Sequence, residues 1–178
     1  MKVLLGITGS VAATLAPKLL IKLRDEGHDL SVISTKSSEY FWACNHYNTN
    51  VYSDNDEWPD KQYTKNQPIL HIELRKWADV LLIAPLSANT LAKIANGFAD
   101  NLITSVARAW DPNKRIILAP AMNTFMWEHP VTVKHLLQIQ EWFPKTTIIQ
   151  PIEKTLACGD TGIGAMALIP DIVSAIKE

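Results

Sequence analysis

Short groups of apolar residues alternate along the chain with longer stretches in which apolar residues recur at helical spacing. The short groups predict five strands, at residues 2–8, 29–34, 79–84, 115–119 and 146–149. Each group is apolar almost throughout, which is typical of strands that are buried on both faces. The pattern therefore favours a parallel sheet with helices on both sides.

The amphipathic stretches predict helices at residues 11–26, 71–78, 89–96, 101–110, 131–142 and 171–177, and a short one at 37–43. Gly27 follows the first of these stretches, and glycine commonly ends a helix. Residues 45–68 are polar, so we expect a long loop there with at most one short strand. Strands and helices alternate, which makes the predicted fold class α/β, with a parallel sheet covered on both faces.

Composition narrows the possible functions. The chain has 178 residues, 47% of them hydrophobic and 20% charged, which fits one globular domain over residues 1–178. A net charge of −1 argues against nucleic-acid binding driven by phosphate contacts. No apolar run reaches membrane-spanning length, and the apolar start predicts a strand better than a signal peptide. The only cysteines, Cys44 and Cys158, suit a reducing compartment, so we expect a cytoplasmic protein.

Residues that follow the first two strands could bind a phosphate. Gly9, Ser10 and Val11 follow the first strand, where glycine lets a phosphate approach backbone N–H groups at a helix start. A tight turn with Ser10 as helix cap explains these residues equally well. Thr35, Lys36 and Ser37 follow the second strand and suit a terminal phosphate better than the ribose of NAD. On their own they are explained more simply as a helix cap and a solvated lysine.

The next two strands are followed by segments with small and polar residues. Pro85-Leu-Ser-Ala-Asn-Thr90 offers hydrogen bonds for a flat polar ring. Pro120-Ala-Met-Asn-Thr-Phe-Met-Trp127 sets the amide of Asn123 among Met, Phe and Trp, as in an apolar pocket with one directed polar group. A turn residue within ordinary core packing is the alternative for Asn123.

A cysteine stands beside three glycines in Leu156-Ala-Cys-Gly-Asp-Thr-Gly-Ile-Gly164. Glycines at 159, 162 and 164 predict a loop that can close over a ligand and open again. Free cysteines are usually packed and inert, which is the alternative for Cys158. Glycine near Asp160 argues against such packing, whereas Cys44 fits it.

Together these segments resemble the homo-oligomeric flavin-containing cysteine decarboxylases. Residues 85–90 resemble that family's PxSANT motif, residues 120–127 its PxMNxxMW motif, and residues 156–164 its cysteine-bearing flap. Residues 70–79 and 100–104 look most like the phosphopantothenoylcysteine decarboxylase branch. The similarity extends from residue 9 to residue 166 and is weakest over 45–68.

The resemblance implies a single domain with a flavodoxin-like, doubly wound parallel sheet that binds FMN. It also implies assembly as a trimer with sites between subunits. It implies no metal. The FMN contacts that it implies are Gly9, Ser10, Val11, Thr35, Lys36, Ser37, Ser87, Ala88, Asn89, Thr90 and Ala121.

The family's catalytic residues fall on His71, Asn123 and Cys158, with His71 from one chain and the other two from the next. The implied substrate is 4′-phosphopantothenoylcysteine, an intermediate of coenzyme A biosynthesis. Its carboxylate lacks an electron sink until the carbon bearing sulfur is oxidised to a thioaldehyde. By resemblance, Asn123 holds the carboxylate in a pocket shaped by Met126, His71 acts as a base towards the thiol or orients it, and Cys158 protonates the enethiol on its way to 4′-phosphopantetheine.

Three related functions stay open. A phosphatase-regulating relative would share the fold, although such relatives often carry long extensions and an acidic tail. A peptidyl-cysteine decarboxylase would share the flavin and the oxidation step. A flavin prenyltransferase would not be expected to combine the 120–127 and 156–164 motifs.

Overall fold

A computed structural model describes residues 1–43, 49–58, 62, 64–155, 159 and 161–177. Its strands are β1 (Lys2–Ile7), β2 (Asp29–Ser34), β3 (Asn50–Tyr52), β4 (Val80–Leu86), β5 (Arg115–Pro120), β6 (Thr146–Ile148), β7 (Ile152–Thr155) and β8 (Thr161–Ala165). Its α-helices are α1 (Ala16–Asp25), α2 (Asp54–Glu57), α3 (Leu70–Trp77), α4 (Ala88–Ala95), α5 (Leu102–Arg108), α6 (Thr124–Trp127), α7 (Pro130–Trp142) and α8 (Ile169–Lys177). Among these described helices, none is both long and apolar enough to cross a bilayer.

The main sheet has six parallel strands in the order β3-β2-β1-β4-β5-β6. Without the short edge strand β3, the remaining five have the 2-1-3-4-5 order of flavodoxin-like folds. The chain moves outward from β1 to β2 and β3, then crosses back to place β4 on the other side of β1. The predicted doubly wound fold is confirmed, and the crevice between the ends of β1 and β4 is the topological switch point where such sheets bind ligands.

The sheet is covered on both faces by separate apolar cores. One core contains Val3, Leu5 and Ile7 of β1 together with residues of α1 and α8. The other contains Leu4 of β1 together with residues of α3, α4, α5 and α7. Successive β1 residues enter opposite cores because side chains alternate across a strand, which explains why the strand is apolar throughout.

Two predicted helices differ from those of the structure. The helix over 11–26 begins with a 3-10 turn, Val11–Leu15, and becomes α-helical at Ala16, with proline in the first α-helical turn. Residues 37–43 form turns instead of a helix. There the Ser38 hydroxyl donates to the Thr35 carbonyl at 2.7 Å, a local bond that competes with helix formation.

Four elements of the structure were not predicted from the sequence: α2, α6, β7 and β8. The polar segment 45–68 contains the expected short strand, β3, and also the unpredicted helix α2. Helix α6 occupies part of the 120–127 motif. Strands β7 and β8 form an antiparallel hairpin apart from the main sheet. The loop predicted over 159–164 is therefore wrong for Gly162 and Gly164, which belong to β8.

Candidate active site

The Thr8 side chain ties the ends of β1 and β4 together at the switch point. Its hydroxyl donates to the Pro85 carbonyl at 2.8 Å and accepts from the Ser87 backbone N–H at 2.7 Å. Thr8 is fully buried, so both bonds are shielded from water. The two loops that frame the crevice are thereby fixed relative to each other.

The loops after β1 and β2 are in direct contact at Gly9. A Cβ atom at Gly9 would lie 2.5 Å from the Ser37 hydroxyl oxygen, so only glycine lets the two loops approach this closely. Ser10 accepts from the Ala12 backbone N–H at 3.4 Å and caps the 3-10 turn. Residues 9–11 thus contain the helix cap that was the alternative to a phosphate site. They also lie beside residues 35–37, the other segment predicted to bind phosphate.

The turn after β2 is built from hydroxyl groups over a buried indole. The Thr35 hydroxyl lies 3.3 Å from that of Ser37, and the Ser34 hydroxyl lies 2.9 Å from that of Ser38. The Trp42 indole N–H donates to the Ser34 hydroxyl oxygen at 3.1 Å from inside the core. The predicted residues at 35–37 are thereby held at the carboxyl edge of the sheet, with Lys36 and Ser37 exposed to solvent.

Residues 87–90 form the first turn of α4 beside the Thr8 bridge. Ser87 accepts from the Thr90 backbone N–H at 3.2 Å and caps the helix. Its hydroxyl also donates to the Thr90 hydroxyl at 3.2 Å. Both residues are buried, whereas Asn89 is exposed. The first turn of a helix leaves backbone N–H groups without intrahelical partners, and such groups favour electron-rich ligand atoms.

The 120–127 segment continues from β5 next to the end of β4. The Ala121 N–H donates to the Leu86 carbonyl at 2.9 Å, and Asn123 caps α6 by accepting from the Phe125 N–H at 2.9 Å. Phe125 is 75% exposed and Met126 49% exposed. Helix α6 turns these two side chains outward, so the described residues do not form the apolar pocket that was predicted around Asn123.

The β7–β8 hairpin rests on this same segment. The Met122 N–H donates to the Gly164 carbonyl at 2.9 Å. A Cβ at Gly164 would lie 2.2 Å from the Met122 carbonyl oxygen, and one at Gly162 would lie 2.7 Å from the Thr124 hydroxyl oxygen. Two of the three glycines thus serve close packing of β8 against the segment that carries Asn123. Cys158 lies outside the described residues.

His71 belongs to a different group of contacts. It stands in the first turn of α3, and its Nδ1 lies 2.5 Å from Oε1 of Glu57 on α2. Helix α3 leads into the beginning of β4, so its first turn lies towards the carboxyl edge of the sheet. The structure therefore places His71 towards the predicted edge, with a partner that the sequence did not reveal.

The 100–104 motif begins α5. Asn101 caps that helix by accepting from the Thr104 N–H at 3.1 Å. The Lys93 ammonium group lies 2.5 Å from the Asp100 carboxylate, and its hydrogen bond lowers the pKa of Asp100 below the usual range. This motif joins α4 to α5.

A cavity of about 290 Å³ lies beside the 100–104 motif, with Thr104 in its lining. It is lined by aromatic side chains including Phe98, Trp110 and Trp142, and none of the predicted site residues contributes to it. The Trp110 indole N–H is buried without a hydrogen-bond partner among the described residues. We place the candidate site at the switch point, because polar groups from several strand ends converge there.

Comparison with known proteins identifies the family. The Flavoprotein family profile matches residues 1–178. This chain belongs to the flavoprotein family. The flavoprotein is 45% identical over 177 residues to phosphopantothenoylcysteine decarboxylase of Mus musculus, covering 99% of this chain and 85% of the mouse protein.

Two solved structures are similar to the flavoprotein over almost its whole length. One is a cysteine-to-serine mutant of PPC decarboxylase complexed with pantothenoylaminoethenethiol, with a TM-score of 0.92, 47% identity and coverage of 99% and 96% of the two chains. The other is the FMN binding protein AtHal3, with a TM-score of 0.88, 48% identity and coverage of 99% and 94%. Both agree with the doubly wound fold.

The residues at the switch point of the flavoprotein fit FMN. The close approach of Gly9 to Ser37 brings the loop that carries Ser10 against the loop that carries Thr35 and Ser37, and Lys36 adds a positive charge. Hydroxyl groups, a lysine and the start of a helix form a suitable site for a phosphate.

Sequence reasoning missed two residues of the flavoprotein's site. Thr8 could have been noticed as a polar residue at the end of an apolar strand, directly before Gly9. Glu57 lies in the segment where the family resemblance is weakest, so the sequence contains no signal that points to it.

Proposed function

We propose that the protein is an FMN-dependent decarboxylase that converts 4′-phosphopantothenoylcysteine to 4′-phosphopantetheine in coenzyme A biosynthesis. The observation that carries this proposal is the convergence of the residue 9–11, 35–37, 87–90 and 121 segments at one switch point. The family membership and the similarity to a PPC decarboxylase support it.

The flavin would be held by two sets of residues. Gly9, Ser10 and Val11 with Thr35, Lys36 and Ser37 would hold its phosphate, since their loops touch. The Ser87–Thr90 turn and Ala121 would lie beside its ring, as the resemblance implies. Bound FMN supplies reversible hydride transfer, which the side chains of this protein cannot provide by themselves.

The protein's own residues would orient the substrate and move protons. The Asn123 side chain accepts from the Phe125 backbone N–H through Oδ1, so its amide N–H2 group would be the donor to the substrate carboxylate. This neutral donor would hold the carboxylate without retaining charge as CO2 leaves. His71 would accept the thiol proton, and Cys158 would return a proton to the enethiol.

The product mass after incubation with 4′-phosphopantothenoylcysteine tests the proposal. We expect loss of CO2 with no net oxidation by the flavin-loaded protein. Cys158→Ser should release a product that has lost CO2 and two hydrogen atoms, because the enethiol is not protonated. A yellow, folded protein that does not turn over the substrate would contradict the proposal, and turnover of a peptide with a C-terminal cysteine would favour the peptidyl-cysteine decarboxylase class.

We also propose that the protein acts in the cytoplasm as a homotrimer with sites between subunits. The exposed Phe125 and Met126 beside Asn123 support a partner surface at this place. Mixing His71→Ala subunits with Cys158→Ala subunits should restore part of the activity in mixed trimers. No recovery after confirmed subunit exchange would show that the site lies within one chain.

A further inference from the structure

Glu57 and His71 form a close pair at the junction of α2 and α3. Oε1 of Glu57 lies 2.5 Å from Nδ1 of His71, and the two side chains are 4% and 22% exposed. The second carboxylate oxygen of Glu57 is buried and has no hydrogen-bond partner among the described residues. The short bond to the imidazole is therefore the main polar contact of this carboxylate.

A carboxylate in this position is unusual for this protein. Among the residues whose burial the structure describes, Glu57 is the only acidic or basic one that is buried. The pairs Lys22–Glu26 and Lys76–Glu73, by comparison, join partly exposed side chains at the surface. Burial of a carboxylate costs several kcal/mol unless a partner compensates for the lost hydration, so stability alone would favour an apolar residue at 57.

Helix α2 holds Glu57 in a fixed position. The Ser53 N–H donates to the Asp56 carboxylate at 2.6 Å at the start of the helix. The Asp54 carboxylate accepts from the Leu102 N–H at 3.1 Å, which attaches α2 to the beginning of α5. Neither anchor involves Glu57, so its side chain is free to act on His71 from a rigid support.

We propose that Glu57 is a positioning residue that fixes the tautomer and orientation of His71. This inference rests on the proposed function. With the proton on Nδ1 donated to Glu57, Nε2 is left as the acceptor. Nε2 is then the atom that receives the proton of the substrate thiol during oxidation. Without the carboxylate, the ring is free to rotate and to place its proton on Nε2, which cannot act as a base.

Three variants separate this role from a structural one. Glu57→Met keeps the length of the side chain but removes the acceptor. Glu57→Gln keeps an oxygen that can accept from Nδ1 and removes the charge. Glu73→Gln is the matched control, because Glu73 is an exposed carboxylate on the same helix as His71.

The experiment combines kinetics with the ¹⁵N spectrum of the histidine rings, in which His71→Asn identifies the His71 signals. In Glu57→Met we expect kcat to fall by about 10²-fold, within the range that general base catalysis contributes, while KM and flavin content stay near wild type. The spectrum should change from the Nδ1–H to the Nε2–H tautomer. Glu57→Gln should recover much of kcat and the wild-type tautomer, and Glu73→Gln should match wild type in both.

Unchanged kcat and an unchanged His71 tautomer in Glu57→Met would overturn the inference. If Glu57→Met does not fold, the test relies on Glu57→Gln. The inference is then overturned if Glu57→Gln has the wild-type kcat and the spectra of both wild type and Glu57→Gln show His71 as the Nε2–H tautomer. The spectrum does not depend on turnover. If the wild-type protein does not turn over the substrate but the His71 tautomer still changes from Nδ1–H to Nε2–H in Glu57→Met, the proposed function is contradicted and the Glu57–His71 assignment is supported.

Discussion

The backbone N–H of Ser87 donates to the Thr8 hydroxyl across the two central strands, at 2.7 Å. The same hydroxyl donates to the carbonyl of Pro85, so one buried side chain satisfies a donor and an acceptor of the neighbouring strand. Ser87 then caps α4, the helix whose first turn carries the second half of the proposed flavin site. Thr8 therefore connects the phosphate side of the crevice to its ring side.

Replacement of Thr8 by valine, which has the same shape, removes both bonds. We expect the free energy of unfolding to fall by about 1–3 kcal/mol, because the Ser87 N–H is left buried without its acceptor. Flavin affinity should fall as well, since the start of α4 is no longer fixed. Urea titration and flavin fluorescence measure the two effects. Thr14→Val is the control, because it removes an exposed hydroxyl on the nearby 3-10 turn and should change stability and flavin affinity little. Equal losses of stability and flavin affinity in the two variants would contradict this role for Thr8.

Asn123→Asp tests the carboxylate contact while preserving the local structure. Aspartate caps a helix as well as asparagine does, so the hydrogen bond from the Phe125 N–H should remain. The added charge would repel the substrate carboxylate, and the amide donor would be lost. We expect decarboxylation to fall by about 10²–10³-fold, the usual effect of removing one directed donor, with bound flavin unchanged. Asn66→Asp, an exposed change of the same kind, should retain the wild-type rate. A normal rate in Asn123→Asp would exclude the contact.

Gly164→Ala should detach the β7–β8 hairpin from the segment before α6. The new methyl group would lie 2.2 Å from the Met122 carbonyl oxygen, and a backbone atom cannot yield as a flexible side chain can. We expect flavin to stay bound and turnover to fall by about 10²-fold, because misplacement by about 1 Å has that effect on oriented groups. Ile163→Ala changes an exposed neighbour on the same strand and should remain active. Full activity of Gly164→Ala would show that the hairpin has no part in turnover.

Stability should depend on pH through His28. Burial, followed by the charge of the chain's amino terminus, lowers the pKa of His28, and both ring nitrogens are buried without partners among the described residues. The unfolded chain takes up this proton near its ordinary pKa of about 6.5, whereas the folded protein takes it up only at lower pH. The free energy of unfolding should therefore decrease as the pH falls below about 6.5 and level off below the folded-state pKa. His28→Gln should lose less stability than wild type in urea titrations over this range. An equal loss would assign the effect to other groups.

The sequence predicts the sheet well because its strands are apolar throughout, and only burial on both faces explains that pattern. Residues 9–11 and 35–37 could be placed near each other for the same reason, since parallel strands end at one edge. The turn at 37–43 could not be predicted, because the hydroxyl of Ser38 competes locally with a helix that the apolar spacing favours. The Glu57–His71 pair depends on a contact between two helices, and no local sequence pattern around either residue predicts that contact.

Trp42 lies beneath the turn to which we assign the flavin phosphate, 5% exposed and bonded to Ser34. Excited indole transfers energy efficiently to a nearby isoalloxazine ring. The protein thus contains an intrinsic optical reporter at the edge of its cofactor site, and the intensity of its ultraviolet emission would follow loading and release of flavin without any added label.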